Sequence, residues 1–242
     1  MKSTIGRVLT IWCSLLMGAG GQAAVPDRVV WTDQEGEVRG ASNLPAPDLR
    51  KVTIGSGAGY LTIELEMKDL QKRLAYQGPD GKRHATSLVD LLLDTDNNPG
   101  TGGAPMSLWR GEQKPVRFGF ELRIAVLAGF RFQSTDGGSG RSTGDVAIES
   151  AGKSKIEPIV AYQIWSLGAQ RFGSKNVALT DTDKERMDTE LAKLEGDRVR
   201  LKVSYGYLGV KPGVRIRVAY LDVLEGSTRE SSLSTDQTLL LK

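Results

Sequence analysis

Ten consecutive residues, Asp94-Thr95-Asp96-Asn97-Asn98-Pro99-Gly100-Thr101-Gly102-Gly103, set oxygen-bearing side chains at every second position and then turn sharply. Asp94, Asp96 and Asn98 follow an apolar run, Leu88-Val89-Asp90-Leu91-Leu92-Leu93. Hard cations such as calcium take oxygens from carboxylates, amides and backbone carbonyls. Two carboxylates this close repel each other unless a cation lies between them, so the stretch reads as a metal loop. It is not an EF-hand, which needs Gly at its sixth position and Glu at its twelfth. Counting from Asp94, those places hold Pro99 and Pro105. The expected ligands are Asp94, Asp96, Asn98 through its side chain or carbonyl, and a backbone oxygen near Thr101. Calcium takes about 6–8 oxygens, so a further acid from a neighbouring strand is expected, and Glu121 is the candidate. Oxygen-only ligands favour calcium over zinc or copper. The competing reading is a metal-free turn, because Asp and Asn also bond to nearby backbone amides.

Other residues suggest other chemistry. Trp109 lies just after the acidic loop, beside Arg110 and Glu112, in a Gly/Pro-rich segment. An exposed indole can stack on a sugar ring while polar neighbours bond its hydroxyls. Trp109, Arg110 and Glu112 are therefore the candidate carbohydrate contacts, with Trp31 second and Trp165 read as core. His84 is the only histidine. It lies in a polar turn and reads as solvent-exposed. With Met67 or Met106 it would supply the axial pair for a haem, an alternative reading. A hydrolytic triad needs His beside Ser or Cys; no Cys lies beyond Cys13, and the Gly-x-Ser-x-Gly match, Gly140-Arg141-Ser142-Thr143-Gly144, sits at the end of a Gly/Ser loop and not at a strand-to-helix elbow. An enzyme is not expected, although a carboxylate-pair glycosidase stays open.

The elements that must position these residues are read from periodicity. Residues 1–24 look like a signal peptide: Lys2 and Arg7, an apolar core from Val8 to Met17, then Gly21-Gln22-Ala23-Ala24. Cleavage would remove Cys13, so no disulfide is expected in a secreted or periplasmic chain. Residues 25–242 then carry 30 basic against 29 acidic residues, too balanced to argue for nucleic acid. No later stretch has the roughly 20 apolar residues of a membrane span. Val52–Ile54, Tyr60–Met67, Val116–Val126, Arg198–Val203 and Arg215–Leu221 alternate apolar and polar as half-buried strands do. Gly55–Gly59 reads as a hairpin loop. Thr86–Leu93 reads as a more fully buried strand. Gly129–Phe132 continues the sheet after a turn, Ser134–Ser142 reads as a mobile Gly/Ser loop, and Asp145–Glu149 and Ile156–Trp165 as strands. A short helix is expected near residues 183–195, capped by Thr180 or Asp181, with Met187, Leu191 and Leu194 on one face and Gly196 ending it. A strand over its second half is the competing assignment. Many short strands between Gly-rich turns predict an all-β fold, an antiparallel β-sandwich of jelly-roll or Ig-like layers spanning 25–242 as one domain.

Several pieces line up with a known group. They are Pro47-Asp48-Leu49-Arg50-Lys51-Val52-Thr53-Ile54, the Gly59-to-Met67 strand, the acidic loop from Leu92 to Gly102, Gly119-Phe120-Glu121-Leu122, and Val203 to Gly213 leading to Tyr220-Leu221-Asp222. In this order the chain resembles secreted bacterial β-sandwiches of the DOMON and family-9 carbohydrate-binding-module superfamily. The resemblance implies a calcium ion bracing the sandwich through Asp94, Asp96 and Asn98, with Glu121 beside them. The group includes sugar-binding and haem-binding members. The resulting expectation is an exported, non-catalytic, calcium-stabilised binding module with carbohydrate as a candidate ligand. The alternatives are an envelope or surface protein that binds a protein partner, and a haem-binding electron-transfer module.

Overall fold

The structure is a computed structural model. It describes residues 25–32, 45, 47–98, 100–102, 119–134, 138–142, 144–147, 153–167, 174–177, 191–222, 234 and 236–242. Residues 1–24, read above as a signal peptide, lie outside them.

The described chain is antiparallel throughout. One sheet has five strands in the order β1 (Arg28–Thr32), β2 (Asp48–Gly57), β3 (Tyr60–Lys68), β12 (Arg198–Ser204) and β11 (Ala192–Glu195). The other runs β10 (Ser174–Val177), β9 (Lys153–Leu167), β6 (Leu122–Ser134), β5 (Thr86–Asp94), β13 (Arg215–Asp222) and β14 (Gln237–Leu240). Its seventh strand, β7 (Ser139–Ser142), pairs with the far end of β6. A small pair, β4 (Lys82–Arg83) with β8 (Val146–Ala147), stands apart. Among the described residues the two helices are short, α1 (Leu70–Ala75) and α2 (Tyr205–Leu208). Among the described residues no helix is long and apolar enough to cross a membrane.

Alternation decides which face of each strand goes inward. In β3, Leu61, Ile63, Leu65 and Met67 are buried, while Thr62, Glu64 and Glu66 are only partly so. β12 does the same with Val199, Leu201 and Val203. These side chains and those of the larger sheet, including Leu91, Leu93, Ile124, Val126, Tyr162, Ile164 and Val218, form one apolar cluster between the layers. This burial of two inner faces is what makes the fold a sandwich. Trp31 of β1 meets Tyr220 of β13 edge to face across it, with centroids 5.6 Å apart and planes at 77°. Trp31 is thus a core residue and not a sugar platform. Trp165, read as core, is half-buried, and it does not join the inter-sheet cluster although its neighbour Ile164 does.

Strand β5 is buried on both faces, as its continuous apolar run implied. Asp90, inside that run, is buried beside Arg123, 2.7 Å away. Burial pushes the Asp90 carboxyl up, against the pull of the guanidinium.

Several expectations change. The loop foreseen at Gly55–Gly59 shrinks to Ala58 and Gly59, both at positive φ, 51° and 78°. Two consecutive positive φ values match the right-handed twist of a tight hairpin, so Gly55 to Gly57 stay in β2. The turn expected at Gly129 is absent: β6 runs unbroken from Leu122 to Ser134 because β9 pairs along all of it. Within the Gly/Ser segment, Ser139–Ser142 is strand, held by Phe130 to Gln133. The helix over 183–195 is corrected in its second half. Ala192–Glu195 is strand, antiparallel to Arg198–Leu201 through a turn at Gly196–Asp197. Pairing with β12 places Ala192 and Leu194 toward the core and outweighs the helical spacing. Residues 181–190 lie outside the described residues.

Candidate metal centre

The acidic loop begins where β5 ends. Asp94 is the last residue of the strand and is fully buried. Asp96 and Asn98 are exposed and Glu121 is partly so. Glu121 stands just before β6, and its N–H donates to Leu93 O at 3.0 Å. The β5–β6 ladder therefore carries Glu121 back over the loop, so strand pairing, not sequence proximity, completes the cluster. Carboxylate oxygens of Asp94, Asp96 and Glu121 all lie within 4.8 Å of one another. Asn98 and Thr101 belong to the same loop. Five residues expected from sequence thus come together.

The loop is held by its own hydrogen bonds. The Asn98 N–H donates to Asp94 Oδ1 at 3.0 Å and to Asp96 Oδ1 at 2.9 Å. The Thr95 N–H donates to Glu121 Oε2 at 2.6 Å. Gly100 N–H donates to Asn98 Oδ1 at 3.0 Å, which closes an Asx turn. Asn97 takes the left-handed conformation, φ 56°, which Asn tolerates better than most residues. Gly102 also has positive φ, 73°, and a Cβ there would lie 2.5 Å from Phe120 O and 2.7 Å from Glu121 Oε1. Only glycine lets the loop close against the Glu121 carboxylate.

Oxygens outnumber protons in this cluster. The Thr101 hydroxyl lies 2.8 Å from Asp96 Oδ2, 2.9 Å from Asn98 O and 3.4 Å from Glu121 Oε1. A hydroxyl carries one proton, so it can satisfy one of these three acceptors fully. The single Asn98 N–H is likewise shared by two carboxylates. Among the described residues the one cation in contact is Arg217, whose Nη1 is 3.3 Å from Asp94 Oδ2. Burial pushes the Asp94 carboxyl up to about 6; the Asn98 N–H and Arg217 oppose this, while Asp96 and Glu121 add to it. Asp96 goes the other way. The Thr101 hydroxyl, ahead of the Asn98 N–H, holds its carboxyl below the usual range. Of the two, Asp94 is therefore the first to take up a proton as pH falls toward about 6. Oxygen-only donors, crowded and short of protons, suit a hard divalent cation. Asp94, Asp96, Glu121 and the Asn98 and Thr101 oxygens would hold it.

Arg217, Thr95 and Gly102 are the participants that sequence reasoning missed. Alternation in Arg215-Ile216-Arg217-Val218 places Arg217 away from the core, but nothing in it says that β13 pairs with β5. The proposed saccharide contacts Trp109, Arg110 and Glu112 lie outside the described residues, as does Met106.

His84 is not the exposed residue expected. Its side chain is 16% exposed, with Nδ1 2.9 Å from Asp145 Oδ2 and Nε2 3.2 Å from Asp80 Oδ1. Both ring nitrogens face carboxylates, and Met67 is packed in the core. Neither side chain presents a ready ligand atom to a haem iron. No protein-family model matches the chain, and no curated protein matches it.

Proposed function

We propose that this chain is an exported, non-catalytic binding module whose sandwich is braced by one calcium ion at the Asp94–Thr101 loop, with carbohydrate as its ligand class. The observation that carries the metal reading is the convergence of Asp94, Asp96 and Glu121 oxygens within 4.8 Å of one another, with one Thr101 hydroxyl between the Asp96 and Glu121 carboxylates. A divalent cation would take the place of the missing protons and neutralise Asp94, Asp96 and Glu121 together. Its structural effect follows from the ladder: the loop belongs to β5 and Glu121 leads into β6, so one ion would tie these two neighbouring strands, while Arg217 of β13 holds Asp94 by an ion pair. The site is at a strand end, and among the described residues no nucleophile–base pair lies beside it, which favours a bracing role over a catalytic one. The haem alternative is disfavoured by the engagement of His84 with Asp80 and Asp145.

Metal content tests this reading. Native mass spectrometry after dialysis against calcium should give one calcium per chain, and none for Asp94→Asn. Wild-type protein that stays metal-free at millimolar calcium would remove the proposal.

A further inference from the structure

The outward face of the five-stranded sheet carries an uneven charge. Register places Arg28, Lys51, Lys68, Lys193, Arg198, Arg200 and Lys202 on it. Its acids are Asp48, Glu64, Glu66 and Glu195. Among the described residues the face thus carries seven basic against four acidic side chains, a net positive charge of three. Lys51 pairs with Glu66, Arg28 with Glu64, and Arg200 with Glu64 and Glu195. Lys193, Arg198 and Lys202 have no ion pair among the described residues, and all three are exposed. Lys193 stands directly opposite Arg200 in the β11–β12 ladder, a like-charge pairing that costs stability. Beside them lies a shallow depression of about 430 Å³ lined by Thr62, Glu64, Lys193, Arg200 and Lys202.

We propose that this face binds an acidic polysaccharide, with a carboxylate-bearing sugar unit in the depression between Lys193 and Lys202. The proposal rests on the reading of the chain as a binding module and names the ligand class and the surface. Arg198, Arg200 and Lys202 alternate along β12 at about 6.6–6.8 Å intervals, a line of cations that an extended chain with spaced charges can follow. Thr62 offers a donor–acceptor and Glu64 an acceptor to sugar hydroxyls. Nucleic acid fits less well. Its charge on every nucleotide would run over Glu64 and Glu66, and Tyr60, the aromatic in register with them on β3, packs against the core instead of standing free for base stacking. A membrane surface also fits less well, because among the described residues Val30 is the single large apolar side chain exposed on this face.

Sodium hyaluronate serves as the probe and neutral dextran as its control, measured by affinity electrophoresis and calorimetry. Hyaluronate should bind and dextran should not, and raised salt should weaken the binding. The double variant Lys193→Glu, Lys202→Glu should bind at least tenfold more weakly with an unchanged melting temperature. Lys155→Glu, on the other sheet, should change affinity less than twofold. No hyaluronate binding, equal loss in both variants, or tighter binding to oligothymidylate or to phosphatidylglycerol vesicles would overturn the proposal. The metal reading fails separately: a calcium-insensitive melt sinks the brace, whereas lost hyaluronate binding with a calcium-raised melt sinks this surface alone.

Discussion

Arg217 lies directly opposite Asp94 in the β5–β13 ladder, with its Nη1 3.3 Å from Asp94 Oδ2. The same guanidinium holds Asp236 through Nη2 at 2.7 Å and Nε at 2.9 Å. Asp94 is fully buried, so Arg217 is the built-in cation of an otherwise acidic corner. Replacing it strands a buried carboxylate, and breaking such a pair costs about 3–5 kcal/mol. Arg217→Gln should therefore lose about 3 kcal/mol in chelator at neutral pH. Calcium should restore much of that loss, because the ion supplies the missing charge. Chemical denaturation with and without calcium checks this, and an equal loss in both conditions would show that Arg217 acts only through Asp236 and packing.

The sign of the pH effect follows from Asp94. Its carboxyl ionises near 3.8 when exposed and near 6 in the folded chain. Between those values the folded state holds the extra proton, so the Asp94 contribution to metal-free stability falls as pH rises from about 4 to about 6. Above about 6 the penalty is complete. Calcium competes with that proton, so its stabilising increment should be small at pH 4.5 and large at pH 7. Melts at the two pH values test this. An increment that does not change with pH would remove Asp94 from the ligand set.

Asp94→Asn removes the titrating charge but keeps an acceptor for the Asn98 N–H. In chelator at pH 7 it should melt no lower than wild type. In calcium it should melt lower, because the ligand set is broken. A variant that is equally destabilised in both conditions would assign Asp94 to turn capping, the metal-free reading of the loop.

Gly102 is a sharper structural test. Alanine there would adopt φ 73° with its Cβ against Phe120 O and Glu121 Oε1. Left-handed strain and the clash together should cost about 2–4 kcal/mol and weaken calcium binding by displacing Glu121. Gly100→Ala is the control: a Cβ there would approach only Asn98 Oδ1, at 3.3 Å. Equal stability for the two variants would contradict the close approach of the loop to Glu121.

The parts of the fold legible in sequence are those where one strand's own alternation decides its faces. β3 and β12 are of this kind, and the unbroken apolar run of β5 announced burial on both sides. Glu121 was readable too, because the loop needed one more acid and few strands were near. Features that depend on a remote partner were not readable. Arg217 meets Asp94 across 123 residues of chain and His84 meets Asp145 across 61. Ala192–Glu195 shows the same limit: the spacing of Met187, Leu191 and Leu194 suits a helix, and only the hairpin with β12 makes its last part a strand. Trp31 misled because an aromatic near a terminus says nothing of the Tyr220 waiting in the other sheet.

The central claim is that a calcium ion stabilises the folded sandwich, and differential scanning calorimetry in calcium and in chelator tests it most directly. A ligand at a hundred times its dissociation constant adds about 2.7 kcal/mol. For a chain of this size each kcal/mol moves the melt by about 2–4 °C. The wild-type melt should therefore rise by about 5–10 °C in calcium at pH 7, with no such rise for Asp94→Asn. Superimposable wild-type melts in calcium and chelator would contradict the account.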